Sequence, residues 1–256
     1  ESILLDELLP IWKEYPIDKF VFYNDNSSDS TVDVIKRHLN NKSVILNDNR
    51  ESFSESHNRA RMLEYSRENN ADYVISIDCD ELLSYNFVKN FDYVMSQYKL
   101  TDLQLYWYNV VNESLYETRN DPLYKNNFRT FVLPMKHTGK FNLNLWKYHT
   151  PRTPEINLQK GKTKDVGIIH LQSMNKRFYA LKQLWYKHYE FINYKHTVNE
   201  INMKYDPVVN NLEFQSVETP KQIIGDIKFD SSVYDSICIK KGYLDYIKKN
   251  YNKHLI

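Results

Sequence analysis

The sequence predicts an α/β fold: a mixed, largely parallel β-sheet flanked by helices, followed by a mostly helical C-terminal extension. Three observations lead there. Short apolar runs alternate with stretches of helical periodicity, the pattern of strands joined by crossover helices. The first such run stops abruptly at a polar, turn-forming cluster. The best strand of the chain, Tyr73-Val74-Ile75-Ser76-Ile77, ends directly on Asp78, with Asp80 and Glu81 just behind it.

Taken in order, Ile3, Leu4, Leu8, Leu9 and Ile11 suggest an amphipathic helix that ends before Pro16. Phe20-Val21-Phe22-Tyr23 reads as a strand, and Asn24-Asp25-Asn26-Ser27-Ser28-Asp29 as the loop that leads into a helix. Asp29 or Ser30 can cap that helix, which runs to about Asn40 with Val32, Ile35 and Leu39 on its buried side. Val44-Ile45-Leu46 is another brief strand, and residues 54–70 are helical in pattern, with Ala60 and Leu63 inward. After Ile77, residues Phe87, Phe91, Val94, Met95 and Tyr98 form a helical stripe. Further strands are expected over 103–111, 128–133 and 166–171. Residues 112–127 and 150–165 read as loops long enough to be functional. A helix begins at Asn175, carrying Phe178, Leu181, Leu184, Trp185 and Tyr189, and a Lys-rich amphipathic helix over 243–251 closes the chain, read first as a plain surface helix, with peripheral contact to an anionic membrane surface as the alternative. With no repeat and no low-complexity linker, a core over 1–175 carries an extension over 176–256.

Composition narrows the function. The 256 residues suffice for one sizeable core, and 41% hydrophobic with 26% charged residues is ordinary for a folded soluble protein. Lys and Arg number 34 against 33 Asp and Glu, so the broad basic footprint of a nucleic-acid binder is absent. No run approaches the roughly 20 apolar residues that cross a bilayer, and no signal peptide opens the sequence. Cys79 and Cys238 are the only cysteines, which supports neither a disulfide framework nor a zinc cluster; a cytoplasmic, reducing location is expected. With 5 glycines, neither G-x-G-x-x-G nor G-x-x-x-x-G-K-[ST] occurs. The diphosphate of a bound nucleotide would therefore need another partner, which points towards a metal.

The acids after the best strand are where that metal would sit. Ligands of a parallel α/β sheet collect at the carboxyl ends of its strands. Asp78, Asp80 and Glu81, three acids within four residues, repel one another and lose solvation, and a divalent cation with oxygen ligands relieves both problems. Asp-x-Asp spacing lets one carboxylate reach the cation while the other meets a bound water or a ribose hydroxyl. The bland reading is a set of solvated loop acids, because Asp-x-Asp is common by chance; its place after an apolar strand favours the cation.

Three segments, in this order, resemble glycosyltransferase family 2 and its GT-A relatives. Residues 21–31 look like the family's strand and following acidic loop; His57-Asn58-Arg59-Ala60-Arg61 with 71–81 looks like the helix and strand leading to its Asp-x-Asp motif; and Ile168-Ile169-His170-Leu171 with Asn175-Lys176-Arg177-Phe178 resembles its late histidine region. The resemblance implies a GT-A-type, Rossmann-like sheet and an inverting transfer from a nucleoside-diphosphate sugar, a UDP-sugar, to a carbohydrate or glycoconjugate. Mn²⁺ or Mg²⁺ would bridge the phosphates and stabilise the charge that grows on the leaving group. By the same resemblance Asp25 contacts the nucleobase, Asn58 and Arg59 lie at the nucleotide, Asp78 lies near ribose and metal, Asp80 ligates the metal directly, His170 is the late ligand, and Lys176 or Arg177 meets the diphosphate. An inverting transfer needs a carboxylate base; Glu155 and Asp165 are the candidates in the loop before His170, with Glu113 and Asp121 in the earlier loop. Asn24 stands where the family has the first acid of a pair, and Glu1 falls within the helix after the family's first strand, so that strand is expected outside this sequence.

Other residues read more plainly. Arg59 and Arg61 lie two apart, so one faces the site and the other solvent. Lys176 and Arg177 also suit a solvated helix face. His57, His137 and His149 are structural or surface residues, and Cys79, between two acids that disfavour its thiolate, is a packed side chain. Leu105-Tyr106-Trp107-Tyr108 is core or sheet surface, though aromatic faces also suit sugars. Two other functions fit the pattern: a sugar-1-phosphate nucleotidyltransferase, which the scarcity of glycine argues against, and a catalytically degenerate GT-A binding module.

Overall fold

A computed structural model describes residues 2–47, 54–98, 101–112, 115–117, 127–140, 152–154, 158–194, 196–210, 216–226, 229, 232–240 and 243–249. The chain divides into two compact units: one of Glu1–Tyr108, Asn126–Ile169 and Pro220–Ile227, the other of Asn109–Lys125, His170–Thr219 and Lys228–Ile256.

The first unit opens with α1 (Ser2–Lys13), whose Leu4, Leu5, Leu8, Leu9 and Trp12 form the buried stripe that helical spacing requires. It packs against α2 (Thr31–Leu39), the crossover between β1 (Phe20–Asn24) and β2 (Ser43–Asn47). These strands pair in parallel from Phe20 opposite Ser43 to Asn24 opposite Asn47, a βαβ unit whose strands both end in asparagine. Next comes α3 (Glu55–Glu68), capped by the Ser54 hydroxyl accepting from the His57 N–H at 3.4 Å.

Five strands then build one sheet: β3 (Tyr73–Ile75), β4 (Glu81–Leu83), β5 (Asp102–Asn109), β7 (Phe128–Pro134) and β8 (Lys160–His170), in the order β3-β7-β5-β8-β4. The short β6 (Leu115–Glu117) belongs to the other unit. The sheet is mixed rather than largely parallel, which corrects the expectation: β7 runs antiparallel to both of its neighbours, β3 and β5. The reason is visible in the chain. Parallel neighbours need a crossover, usually a helix, and between β5, β7 and β8 the described residues contain no such helix. The fold is thus mixed α/β, a five-stranded mixed sheet flanked by helices.

Three boundaries also moved. β3 ends at Ile75, although the Ser76 N–H still reaches the Phe131 carbonyl at 2.8 Å. The stripe after it is two helices, α4 (Tyr85–Lys89) and α5 (Phe91–Gln97), which meet at Asn90. The stretch before residue 166, expected as a loop, extends β8 back to Lys160. The core lies between sheet and helices, where Leu82, Phe87, Leu103, Leu105, Phe131, Ile168 and Ile169 are all fully buried. Each such side chain contributes about 1.5–3 kcal/mol of transfer free energy.

In the second unit α6 (Lys176–Asn193) is capped by Asn175, whose side chain accepts from the Phe178 N–H at 2.8 Å. It packs on α7 (Val198–Asn210), α9 (Val233–Lys240) and α10 (Tyr243–Lys249), while β6 pairs antiparallel with β9 (Ser216–Glu218). The remaining short helix, α8 (Lys221–Ile224), belongs to the first unit. Lys187 is buried and pairs with Asp206; Glu190, also buried, accepts from Lys204 at 2.7 Å and from the Tyr205 hydroxyl at 2.8 Å. No helix among the described residues is long and apolar enough to cross a membrane.

Candidate functional site

The three clustered acids of the first unit form a closed turn. The Glu81 N–H donates to the Asp78 carbonyl at 3.1 Å, and the Asp78 N–H donates back to the Glu81 carboxylate at 2.8 Å. Cys79 and Asp80 occupy the two central positions. The chain turns here because Glu81-Leu82-Leu83 re-enters the sheet as β4, a strand buried along its whole length.

This re-entry makes the acids unequal. The Glu81 side chain has no solvent exposure, while that of Asp78 is 42% exposed. Asp80 is partly exposed at the corner. Burying a carboxylate requires hydrogen bonds and an opposite charge, and Glu81 has both. Arg152 grips it with a two-pronged fork, both prongs at 2.7 Å, and the Trp107 indole N–H donates at 2.7 Å. The backbone carbonyl of Glu81 accepts from the Trp12 indole at 3.1 Å, and the neighbouring Leu83 N–H donates to the Tyr15 hydroxyl at 3.0 Å.

Arg152 also reaches the Asp78 carboxylate at 2.7 Å, and its guanidinium lies 5.4 Å from the Trp107 ring centroid and 5.0 Å from that of Phe131. Burial works against its charge, but Glu81, Asp78 and Asp80 outweigh burial and hold its pKa above the usual arginine value. The other oxygen of Asp78 accepts from Arg59 at 3.1 Å; Arg59 is 9% exposed and is itself held by Glu55 at 2.5 Å. The guanidinium groups of Arg59 and Arg152 therefore supply, at Asp78 and Glu81, the charge compensation that the sequence suggested for a cation.

The Arg59 and Arg61 pair resolves by helix geometry. Arg59 faces inward, and Arg61, half-exposed, pairs with Glu64 at 2.6 Å. Asn58 is buried on the same helix. The end of β1 approaches this helix too: Tyr23 packs edge-on against His57, with ring centroids 6.4 Å apart, two residues before Arg59. Asp25 is in that loop, next to Asn24, whose amide donates to Asn47 at 2.8 Å and accepts from the Ser27 N–H at 3.2 Å. Asn24 thus acts as a loop brace. The first two turns of α3 are flanked by the end of β1 and by Asp78.

The remaining candidates separate. Asp165 is exposed on β8; its backbone carbonyl accepts from Asn86 at 3.0 Å, and its N–H donates to Thr163 at 3.0 Å. His170 belongs to the second unit and is 8% exposed, with Nδ1 2.7 Å from the Asn109 side-chain oxygen. With that oxygen accepting, Nδ1 is the donor. Lys176 and Arg177, also in the second unit, are exposed in the first turn of α6. Glu155, Glu113, Asp121 and His149 lie outside the described residues.

Arg152 and Trp107 are the site residues that sequence reading missed in these roles. Arg152 follows Pro151 in a stretch without periodicity, and Trp107 reads as one more aromatic in a strand; neither carries a local signal. Among the described residues no three His, Cys, Asp or Glu side chains gather as a ready-made metal cage. The donor chemistry present, carboxylates at a partly exposed turn, fits Mg²⁺ or Mn²⁺ of the kind completed by substrate phosphates and water. Compared with protein-family models and with curated proteins, the sequence matches none.

Proposed function

We propose that the chain is a GT-A-type glycosyltransferase that moves a sugar from a nucleoside-diphosphate donor, a UDP-sugar, to a carbohydrate or glycoconjugate. The observation that carries the reading is the closed Asp78–Glu81 turn, with Asp80 at its corner, next to the α3 turns that also meet the end of β1. A bound Mn²⁺ or Mg²⁺ would neutralise the leaving diphosphate. The protein's own part is positional. Glu81, buried and clamped by Arg152, anchors the turn; Asp78, held by two arginines, is oriented to accept from a ribose hydroxyl; Asp80 offers its carboxylate to the cation; Asp25 meets the base. Binding a charged donor at groups already fixed in place avoids the entropy of ordering them.

The test is calorimetry of UDP with and without Mn²⁺, followed by a panel of UDP-sugars with product detection. Metal-linked UDP binding that Asp80→Asn abolishes, at unchanged thermal stability, is the expected result. A second reading has a specific observation behind it. Because Asp78 and Glu81 are already balanced by arginine, the turn is stable without a cation, which also suits a non-catalytic binding module. UDP binding indifferent to Mn²⁺ and to Asp80→Asn would assign the chain to that class.

A further inference from the structure

The face of the sheet opposite the acid turn carries a feature that the sugar-donor site does not use. Along β8, Lys160, Lys162 and Lys164 are exposed, with Thr163 buried between the last two. Alternate residues of a strand share a face and stand about 6.7 Å apart, so these lysines form a row. The ammonium groups of Lys162 and Lys164 are seated on aromatic rings of β5 and β7. Lys162 Nζ lies 5.5 Å from the Phe128 ring centroid; Lys164 Nζ lies 5.9 Å from the same centroid and 4.8 Å from that of Tyr106. Tyr106 and Phe128 face each other across β5 and β7, their rings 5.3 Å apart. Trp107, next along β5, points the other way, to Glu81 and Arg152.

Two like charges converging on one ring repel each other, and cation–π contact at an exposed site offsets only about 0.5–1 kcal/mol for each. Among the described residues no carboxylate pairs with any of the three lysines. The nearest acid in sequence, Asp165, has its carboxylate 3.5 Å from the Thr163 hydroxyl, on the other side of the strand. A row of cations, two of them held in place and none balanced by a described carboxylate, is complementary to an anion that lies along it.

We propose that Lys160, Lys162 and Lys164 form a docking strip for an acidic glycan, a chain bearing carboxylates on successive sugars. The choice of a glycan rests on the sugar-transfer reading; the choice of a polyanion does not. Two rival partners fit the surface less well. Among the described residues the exposed large hydrophobic side chains are Tyr85, Tyr93, Ile192, Met203 and Val217, none of them on β5, β7 or β8, so these strands present no apolar anchor of the kind that stable membrane attachment combines with basic charge. Tyr106 is only 6% exposed beneath Lys164, so it offers no platform for stacking nucleic-acid bases.

The experiment uses the full chain and oligogalacturonate as probe, with neutral maltohexaose for comparison, read by calorimetry at low salt. The triple variant Lys160→Gln, Lys162→Gln, Lys164→Gln is compared with a control that loses the same charge at exposed positions elsewhere: Lys13→Gln, Lys36→Gln, Lys136→Gln. Exposed ion pairs each contribute a factor of about 1.5–5, so losing three lowers affinity by about tenfold. The expected result is oligogalacturonate binding by the wild type, tenfold weaker in the β8 triple, within twofold of wild type in the control, and no binding of maltohexaose. The proposal is overturned if the two triples weaken alike, if the wild type does not bind oligogalacturonate, or if phosphatidylserine vesicles bind more tightly than the glycan through the same lysines. UDP binding with Mn²⁺ is measured on the same samples: its absence beside intact glycan binding removes the sugar-transfer reading and leaves the docking strip, and the converse removes the strip alone.

Discussion

Replacing Arg152 with glutamine tests the arrangement on which the acid turn depends. The substitution keeps much of the side-chain length but removes the charge facing Glu81, whose side chain has no exposure, and Asp78, which is 42% exposed. At an effective dielectric of 20, opposite charges about 4 Å apart attract by about 4 kcal/mol, and stripping one partner from a buried pair costs about 3–5 kcal/mol because the other charge is left stranded. Asp78 adds little, since solvent screens it and Arg59 still holds it at 3.1 Å. Glu81 keeps the Trp107 indole and the Asp78 N–H as donors, which places the expected loss at the lower end, about 3 kcal/mol. At about 2–4 °C per kcal/mol for a protein of this size, the thermal midpoint falls by roughly 6–12 °C. Urea unfolding followed by tryptophan fluorescence measures it directly, because Trp12 and Trp107 both bond to Glu81. The double variant Glu81→Gln with Arg152→Gln removes both buried charges and should recover most of the loss. A single variant within about 0.5 kcal/mol of wild type, or a double variant no better than the single, refutes the clamp.

Two further outcomes are expected from packing and titration. Gly167→Ala would place a Cβ 2.6 Å from the Tyr108 ring and 2.7 Å from the Tyr106 carbonyl, so the β5–β8 contact must open; urea unfolding should show a loss of about 1–3 kcal/mol. At alkaline pH, burial holds the Tyr15 phenol protonated well above its ordinary value near 10, although the Leu83 N–H bond works against it; burial and then the Glu190 charge do the same for Tyr205. The unfolded chain gives up these protons first, so stability falls as pH rises through 10, by up to about 1.4 kcal/mol per pH unit for each tyrosine. Tyr205→Phe should flatten that slope in urea titrations between pH 9 and 11.

Much of the fold was legible where local rules act alone. The α1 stripe, the Asn24–Asp29 loop, the helix that starts at Asn175 and the strand at Tyr73 all follow from periodicity and turn chemistry, and all are present. Strand direction was not legible, because period-two alternation is the same for parallel and antiparallel neighbours and only the connection distinguishes them. The short β4 was hidden for another reason: a strand of three residues that begins with glutamate carries the signature of a polar turn, and its burial depends on Trp12, Trp107 and Arg152, residues remote in sequence.

That dependence changes how the acid cluster is to be understood. Read along the chain, Asp78, Asp80 and Glu81 are three equivalent charges awaiting one neutralising ion. In the fold, burial ranks them. Glu81, fully enclosed, is committed to Arg152 and cannot be a ligand without dismantling the turn; Asp78 is shared between two guanidinium groups; Asp80 sits at the corner, partly exposed. A divalent ion arriving here meets a turn that is already assembled, so its binding energy need not be used to bring the carboxylates together. The charge of Arg152 would oppose such an ion electrostatically, while its hydrogen bonds hold the turn in place. The two effects predict different outcomes for Arg152→Lys, which keeps the charge but loses the fork. If positioning dominates, Mn²⁺-linked UDP binding weakens in this variant despite unchanged charge; if charge alone matters, it does not. Measuring Arg152→Lys beside Arg152→Gln separates the two.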